Sequence, residues 1–128
     1  LLSQHQTIVI AINNNLPVNC LVDTGTSNFT ISDKYLKSIG LVPTKPQKTI
    51  EATDGTLSIA DIKIKNLVLN PLNLFFQDKI KLTNVDATAA NIEYMSKFLG
   101  VVCILGYKEL KLKKAIYDFL ANRIYLLS

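Results

Sequence analysis

Apolar and polar residues alternate with a period of two over several stretches of this chain, the repeat of a strand that buries one face. Residues 6–12, rich in isoleucine and valine, read as a first strand. Asn13, Asn14 and Asn15 then supply turn chemistry, because asparagine tolerates positive φ. Residues 16–22 return as a second strand, with Pro17 near its start, where a missing N–H does no harm. This hairpin delivers Asp23 into a tight turn at Thr24 and Gly25. Residues 28–31 predict a short strand, and residues 32–40 a short helix capped by Ser32 and stopped by Gly40.

Beyond the exposed connection marked by Pro43 and Pro46, residues 49–59 carry the strongest hairpin signal in the chain. The pair Asp54-Gly55 sits between alternating strands and favours a two-residue turn. Alternation continues over residues 60–69 and puts Asp61, Lys63 and Lys65 in solvent. Residues 72–76 predict a further strand. Over residues 86–99, Ile92, Met95 and Leu99 fall at helical spacing, and Asp86 or Thr88 is placed to cap that helix. Residues 101–105 form an apolar strand ending at Gly106, residues 107–114 a short helix, and residues 115–120 and 123–127 a last hairpin turning at Ala121 and Asn122.

Composition narrows the class. The 128 residues fit one domain, 1–128, without internal repeat or linker. An apolar share of 48% against 19% charged is that of a globular core rather than a disordered chain. No apolar run approaches the roughly 18 residues of a membrane-spanning helix. The chain opens Leu1-Leu2-Ser3 without Met, basic region or extended apolar run, so no intact signal peptide is expected, and the compartment stays open. The net charge of +4 owes much to the lysines at 108, 111, 113 and 114. No aromatic residues interleave them for base stacking, so they read as a solvated face and no nucleic-acid partner is expected. Cys20 and Cys103 both lie in apolar strands. The expectation is two buried thiols, with a disulfide between neighbouring strands as the alternative. With His5 the sole histidine, a four-ligand zinc set is out of reach and no metal or other cofactor is expected.

An aspartate at the end of a buried strand is solvent-facing, paired, or held for proton transfer. Asp23-Thr24-Gly25-Thr26-Ser27 resembles the Asp-Thr-Gly-Ser/Thr/Ala signature of aspartic proteases, and Ile104-Leu105-Gly106 is similar to their hydrophobic-hydrophobic-Gly partner. Residues 115–119 resemble the closing hairpin of the same proteins. The chain thus resembles the retropepsin-like aspartic protease family, the small retroviral type. The likeness leaves a stretch of about 77–99 uncovered, which reads as an atypical insert. One departure is Lys108, where family members often carry aspartate two residues after the glycine.

The resemblance implies an all-β, small closed barrel-like acid protease fold with one to three short helices. It also implies an aspartic endopeptidase in which water is activated between two carboxyls. Since the chain holds a single Asp-Thr-Gly, the second Asp23 comes from a second copy, and the implied assembly is a homodimer acting on peptide or protein substrates. By resemblance, Asp23, Thr24 and Gly25 are catalytic, and Thr26, Ser27, Asn28 and Ile104 contact substrate. Thr53, Asp54 and Gly55 belong to a flap hairpin that closes over the peptide. Asp118, in the last hairpin, reads as structural rather than as the second acid. Two other readings are weighed: a catalytically silent dimerisation or peptide-binding module of the same fold, and a serine hydrolase. The latter lacks a Gly-x-Ser-x-Gly elbow.

Overall fold

The first two alternating stretches form an antiparallel hairpin, β1 (Thr7–Ile12) and β2 (Val18–Val22), in the computed structural model, which describes residues 7–23, 25–26, 28–43, 48–52, 55–69, 80–106, 115–118 and 123–126. Asn13 and Asn14 take positive φ of 48° and 63°, and the Asn15 N–H closes the turn on the Ile12 carbonyl at 2.9 Å. The asparagine run is therefore used for the left-handed backbone that other side chains resist.

After the Asp23 loop, β3 (Thr30–Ser32) leads into α1 (Asp33–Ser38). The Ser32 hydroxyl accepts the Tyr35 N–H at 3.2 Å, an N-cap that satisfies one of the helix's orphan donors. At the other end Gly40 adopts a φ of 78°, its N–H donates to the Lys37 carbonyl and the Leu41 N–H to the Leu36 carbonyl. These paired bonds are a Schellman ending, and they need the left-handed residue where glycine stands.

The hairpin at the Asp-Gly signal is β4 (Lys48–Ala52) with β5 (Gly55–Leu69). Ala52 pairs with Gly55, so Gly55 opens the returning strand rather than sitting in the turn, and Thr53 and Asp54 lie outside the described residues. Along β5, Ala60, Ile62 and Ile64 are buried while Asp61, Lys63 and Lys65 are exposed, as alternation predicts. The phase then shifts, with Leu67 and Leu69 buried next. Its partner β6 (Ile80–Ala90) keeps one register throughout, and between the pairs Ile64–Val85 and Asn66–Thr83 stands Asn84 with a φ of 54°. A left-handed residue there turns the strand, so both strands present their other face beyond it. The β1–β2 turn docks at this point: the Asn13 N–H donates to the Asn66 carbonyl at 2.8 Å and the Asn66 N–H to Asn13 Oδ1 at 3.0 Å.

β6 corrects the helix expected from Asp86 or Thr88. Residues 86–90 are strand, with Asp86 ion-paired to Lys63 across the ladder at 3.3 Å, and the helix is confined to α2 (Glu93–Leu99). Partners on both sides, β5 and β3, supply ladder bonds that outweigh the helix propensity of Ala87, Ala89 and Ala90. Leu99, expected inward, is 37% exposed. After α2 come β7 (Cys103–Leu105) and a separate hairpin, β8 (Ala115–Asp118) with β9 (Arg123–Leu126). The expected strand at 72–76 and helix at 107–114 lie outside the described residues.

The strand order β1-β2-β7-β3-β6-β5-β4, with β5 also pairing β1, closes six strands into a barrel and leaves β4 as an appendage of the long β5. Inside sit Ile10, Ile12, Phe29, Ile31, Ile64, Leu67, Leu69 and Leu105, among others. Each such side chain contributes about 1.5–3 kcal/mol by leaving water. Cys20 and Cys103, expected as free thiols, are joined as a disulfide: they are direct register partners on adjacent parallel strands with Cα atoms 4.7 Å apart. In the chain-entropy model a crosslink spanning such a long loop stabilises by about 4 kcal/mol.

The Tyr35 hydroxyl oxygen is buried without a hydrogen-bond partner among the described residues, and burial pushes its ionisation above the ordinary tyrosine range. Tyr35→Phe should therefore hold or raise stability at neutral pH, by up to about 1 kcal/mol in urea unfolding. Because burial holds the folded-state value above the unfolded one, the unfolded chain ionises first as pH rises above about 10 and the wild type loses stability there, so the variant should lose less in that alkaline range. The change of face along β5 makes a second prediction. Leu67→Ala should cost about 2–5 kcal/mol, whereas Lys65→Ala should stay within about 0.5 kcal/mol.

Candidate active site

Two strands set the position of Asp23. β2 and β7 run parallel, with Leu21 opposite Ile104 and Val22 opposite Leu105, and the Asp23 N–H extends the ladder by donating to the Leu105 carbonyl at 3.0 Å. The chain then turns. The Thr26 N–H reaches the Asp23 carbonyl at 3.4 Å, and the Gly25 N–H donates to Asp23 Oδ1 at 2.9 Å. This last contact is an Asx turn, in which an aspartate side chain accepts from the backbone two residues on and is thereby oriented. Asp23 itself is exposed, so its carboxyl meets solvent rather than the core.

The loop closes on itself and on β7. Thr26 Oγ1 accepts the Asn28 N–H at 3.3 Å, and just past it Phe29 drops into the barrel at 1% exposure. The Phe29 carbonyl then accepts the Thr88 N–H at 2.8 Å, tying the loop's exit to β6. Gly106 runs beneath this arch. A Cβ at Gly106 would stand 2.6 Å from both the Thr26 and the Asn28 carbonyl oxygens and 2.8 Å from the Asn28 nitrogen. Only glycine allows that backbone-to-backbone approach. At Gly25 a Cβ would meet Asp23 Oδ1 at 3.2 Å, a milder crowding against a side chain.

Asp23, Gly25, Thr26 and Asn28 thus share one loop, with Gly106 under it and Ile104 half-buried on the strand below. Thr24, Ser27, Thr53 and Asp54 lie outside the described residues, as does His5. Gly55 begins β5, and the β4–β5 hairpin is joined to the turn between β6 and α2 by the Ser58 N–H, which donates to Asn91 Oδ1 at 2.9 Å. Sequence reasoning did not find the role of α2. Its Met95 and, just before the helix, Ile92 form with Leu21, Ala90 and Val101 a second apolar cluster against which Ile59 and Ile104 pack. The spacing of Ile92 and Met95 disclosed a buried helix face, while what it covers follows only from the strand order. Among the described residues no group of three or more His, Cys, Asp or Glu is placed to hold a metal ion. A cavity of about 430 Å³ opens elsewhere, between α1 and the start of α2, and shares no residue with the Asp23 loop.

The sequence matches, over residues 8–111, the family described as "gag-polyprotein putative aspartyl protease". Among curated proteins no relative matches it. Among solved structures the fold is similar to a retropepsin-like aspartic protease from Rickettsia conorii, 20% identical, with 89% of this chain and 84% of that one covered at a TM-score of 0.62. It is similar also to the retroviral protease-like domain of Ddi1 from Leishmania major, 16% identical over 97% of this chain and 89% of that one, TM-score 0.64. A third is EIAV protease complexed with the inhibitor HBY-793, 20% identical over 86% and 88% of the two chains, TM-score 0.53. At these identities the structures speak for the fold: an all-β closed barrel with few short helices.

The crossing at Gly106 can be tested directly. Gly106→Ala should destabilise by about 1–3 kcal/mol or more, because its clashing partners are backbone atoms that cannot swing away. Gly25→Ala, whose neighbour is a side-chain oxygen, should cost less. Thermal unfolding of the two variants side by side reads the difference.

Proposed function

The chain belongs to the gag-polyprotein aspartyl protease family, and on that premise we propose that it is an aspartic endopeptidase whose active species is a homodimer. Peptide hydrolysis by paired aspartates needs one carboxylate to take a proton from water and one carboxylic acid to give a proton to the scissile carbonyl. Two carboxyls about 3 Å apart share one proton and divide these roles between them. One chain offers a single Asp-Thr-Gly, so the pair is completed by Asp23 of a second copy across a twofold axis, an isologous contact in which one patch serves both partners.

The observation that carries this reading is the Asp23 loop itself: an exposed carboxyl, oriented by the Gly25 N–H, at the tip of a parallel strand pair and braced from below by Gly106. In this assignment Asp23, Thr24 and Gly25 form the catalytic loop. Thr26, Ser27 and Asn28 bind the substrate backbone, and Ile104 lines an apolar subsite. The β4–β5 hairpin covers the bound peptide, and Thr53, Asp54 and Gly55 are assigned to that cover. An extended peptide held this way gains main-chain hydrogen bonds and presents alternate side chains to pockets. We take residues 1–128 as a single domain of this type, requiring no metal or other cofactor.

Asp23→Asn is expected to lower kcat/KM on peptide substrates by about a hundredfold or more while leaving the unfolding midpoint near that of the wild type. Hydrolysis that survives this substitution would mean the chain keeps the fold as a peptide-binding or dimerisation module and owes the activity to something else. Sedimentation across the assay concentrations is expected to show activity tracking the dimer fraction. An active strict monomer would sink the shared-site mechanism.

A further inference from the structure

Along β2 the side chains divide between two apolar clusters. Cys20 and Val22 belong to the barrel core, while Leu21 belongs to the cluster under α2. Leu21's register partner on β7, Ile104, packs against that same cluster. Asp23 lies two residues beyond Leu21, and its N–H continues the β2–β7 ladder, so by strand alternation it shares the face of Leu21 and Ile104. That is the face on which α2 sits. The segment leading into the helix is held by β5 as well: Ile59 pairs with Ala90 and packs against the cluster, and the Ser58 N–H donates to Asn91 Oδ1. α2 therefore stands beside the site, bracketed by the base of the β4–β5 hairpin and by β7.

Met95 is the long, flexible side chain of this cluster, 8% exposed, and the two residues packed against the cluster, Ile104 on the strand beside Asp23 and Ile59 at the base of the β4–β5 hairpin, are only half-buried. We propose that Met95 is a positioning residue for specificity: through Ile104 and Ile59 it sets the depth of the apolar subsite that receives the substrate side chain flanking the scissile bond. This rests on the endopeptidase reading above. Methionine fills irregular gaps without a rigid shape, so its removal leaves space into which Ile104 settles, and the subsite deepens. The size of the apolar side chain accepted there then rises. In a hydrophobic pocket a few methylenes change discrimination by about 10–200-fold.

The test uses a randomised peptide mixture digested by the full chain, with cleaved bonds identified by mass spectrometry. Met95→Ala is expected to raise the ratio of bonds cleaved next to Phe or Leu over those next to Ala or Val by about tenfold. Met95→Leu, close in volume, should keep the wild-type ratio. Val42→Ala, at an exposed residue on the cavity beside α1, should also leave it unchanged. An unchanged ratio in Met95→Ala overturns the proposal, and so does a uniform slowing of all bonds, which a merely structural role would produce. If the wild-type chain shows no cleavage that Asp23→Asn abolishes, the endopeptidase reading falls and this inference falls with it; cleavage that depends on Asp23 but ignores Met95 defeats the inference alone.

Discussion

Backbone against backbone, with no side chain between, is the contact on which the rest of this structure depends. Gly106 passes under the carbonyls of Thr26 and Asn28 so closely that a methyl group would collide with both. Such an approach holds only if both strands leading to it are fixed. The parallel ladder from Cys20–Cys103 to Val22–Leu105 fixes them in register, the disulfide joins them at its first pair, and the Asp23 N–H extends it to the edge of the loop. Phe29 anchors the far side of the arch in the core. The described part of the tip is thereby tied down without being buried, and Asp23 remains in solvent with its Oδ1 held by the Gly25 N–H.

Closing the barrel around this pair places unusual demands on one strand. β5 pairs with β4 and β6 near its start and with β1 and β6 near its end. A strand that serves two neighbourhoods of the core cannot keep one face inward along its whole length. The change of face at Lys65 and Asn66 resolves this, and the left-handed Asn84 opposite allows β6 to turn with it without losing register. A slip of one residue in either strand alone would send every following apolar side chain to solvent. Turning both together avoids that cost.

Signals carried within a few residues were legible before any coordinates: the asparagine turn, the Ser32 cap, the Gly40 stop, the alternation over residues 60–64 and the Asp-Thr-Gly loop with its distant Gly partner. Each is a local backbone requirement that a particular residue type meets. What escaped is set by partners far away in sequence. Residues 86–90 hold good helix formers, yet they are flanked by β3 and β5 and become strand. Cys20 and Cys103 read as two buried thiols until β2 and β7 are known to be neighbours. The phase shift in β5, between Ile64 and Leu67, follows from barrel closure, and strict alternation does not anticipate it. Within the candidate site, the loop was legible and the helix that flanks it was not, because burial of Ile92 and Met95 says that a face is covered and not what it covers.

The two apolar clusters differ in what they support, one lying behind the Asp23 loop and the other under α2. The core beneath Gly106 is closed by β-branched residues, leucines and Phe29, whose shapes leave few alternatives. The second cluster is small, is roofed by a helix of two turns, and contains the flexible Met95. Among the described residues Leu21 and Ala90 tie it to barrel strands, and Ile104 and Ile59 pack against it, so a change of volume there acts first on side chains beside the ladder that positions Asp23. In the proposed enzyme the reacting carboxyl and the subsite beside it are therefore mechanically separable. Substitutions under α2 alter what is accepted, and substitutions at the Gly106 crossing alter whether the loop exists at all.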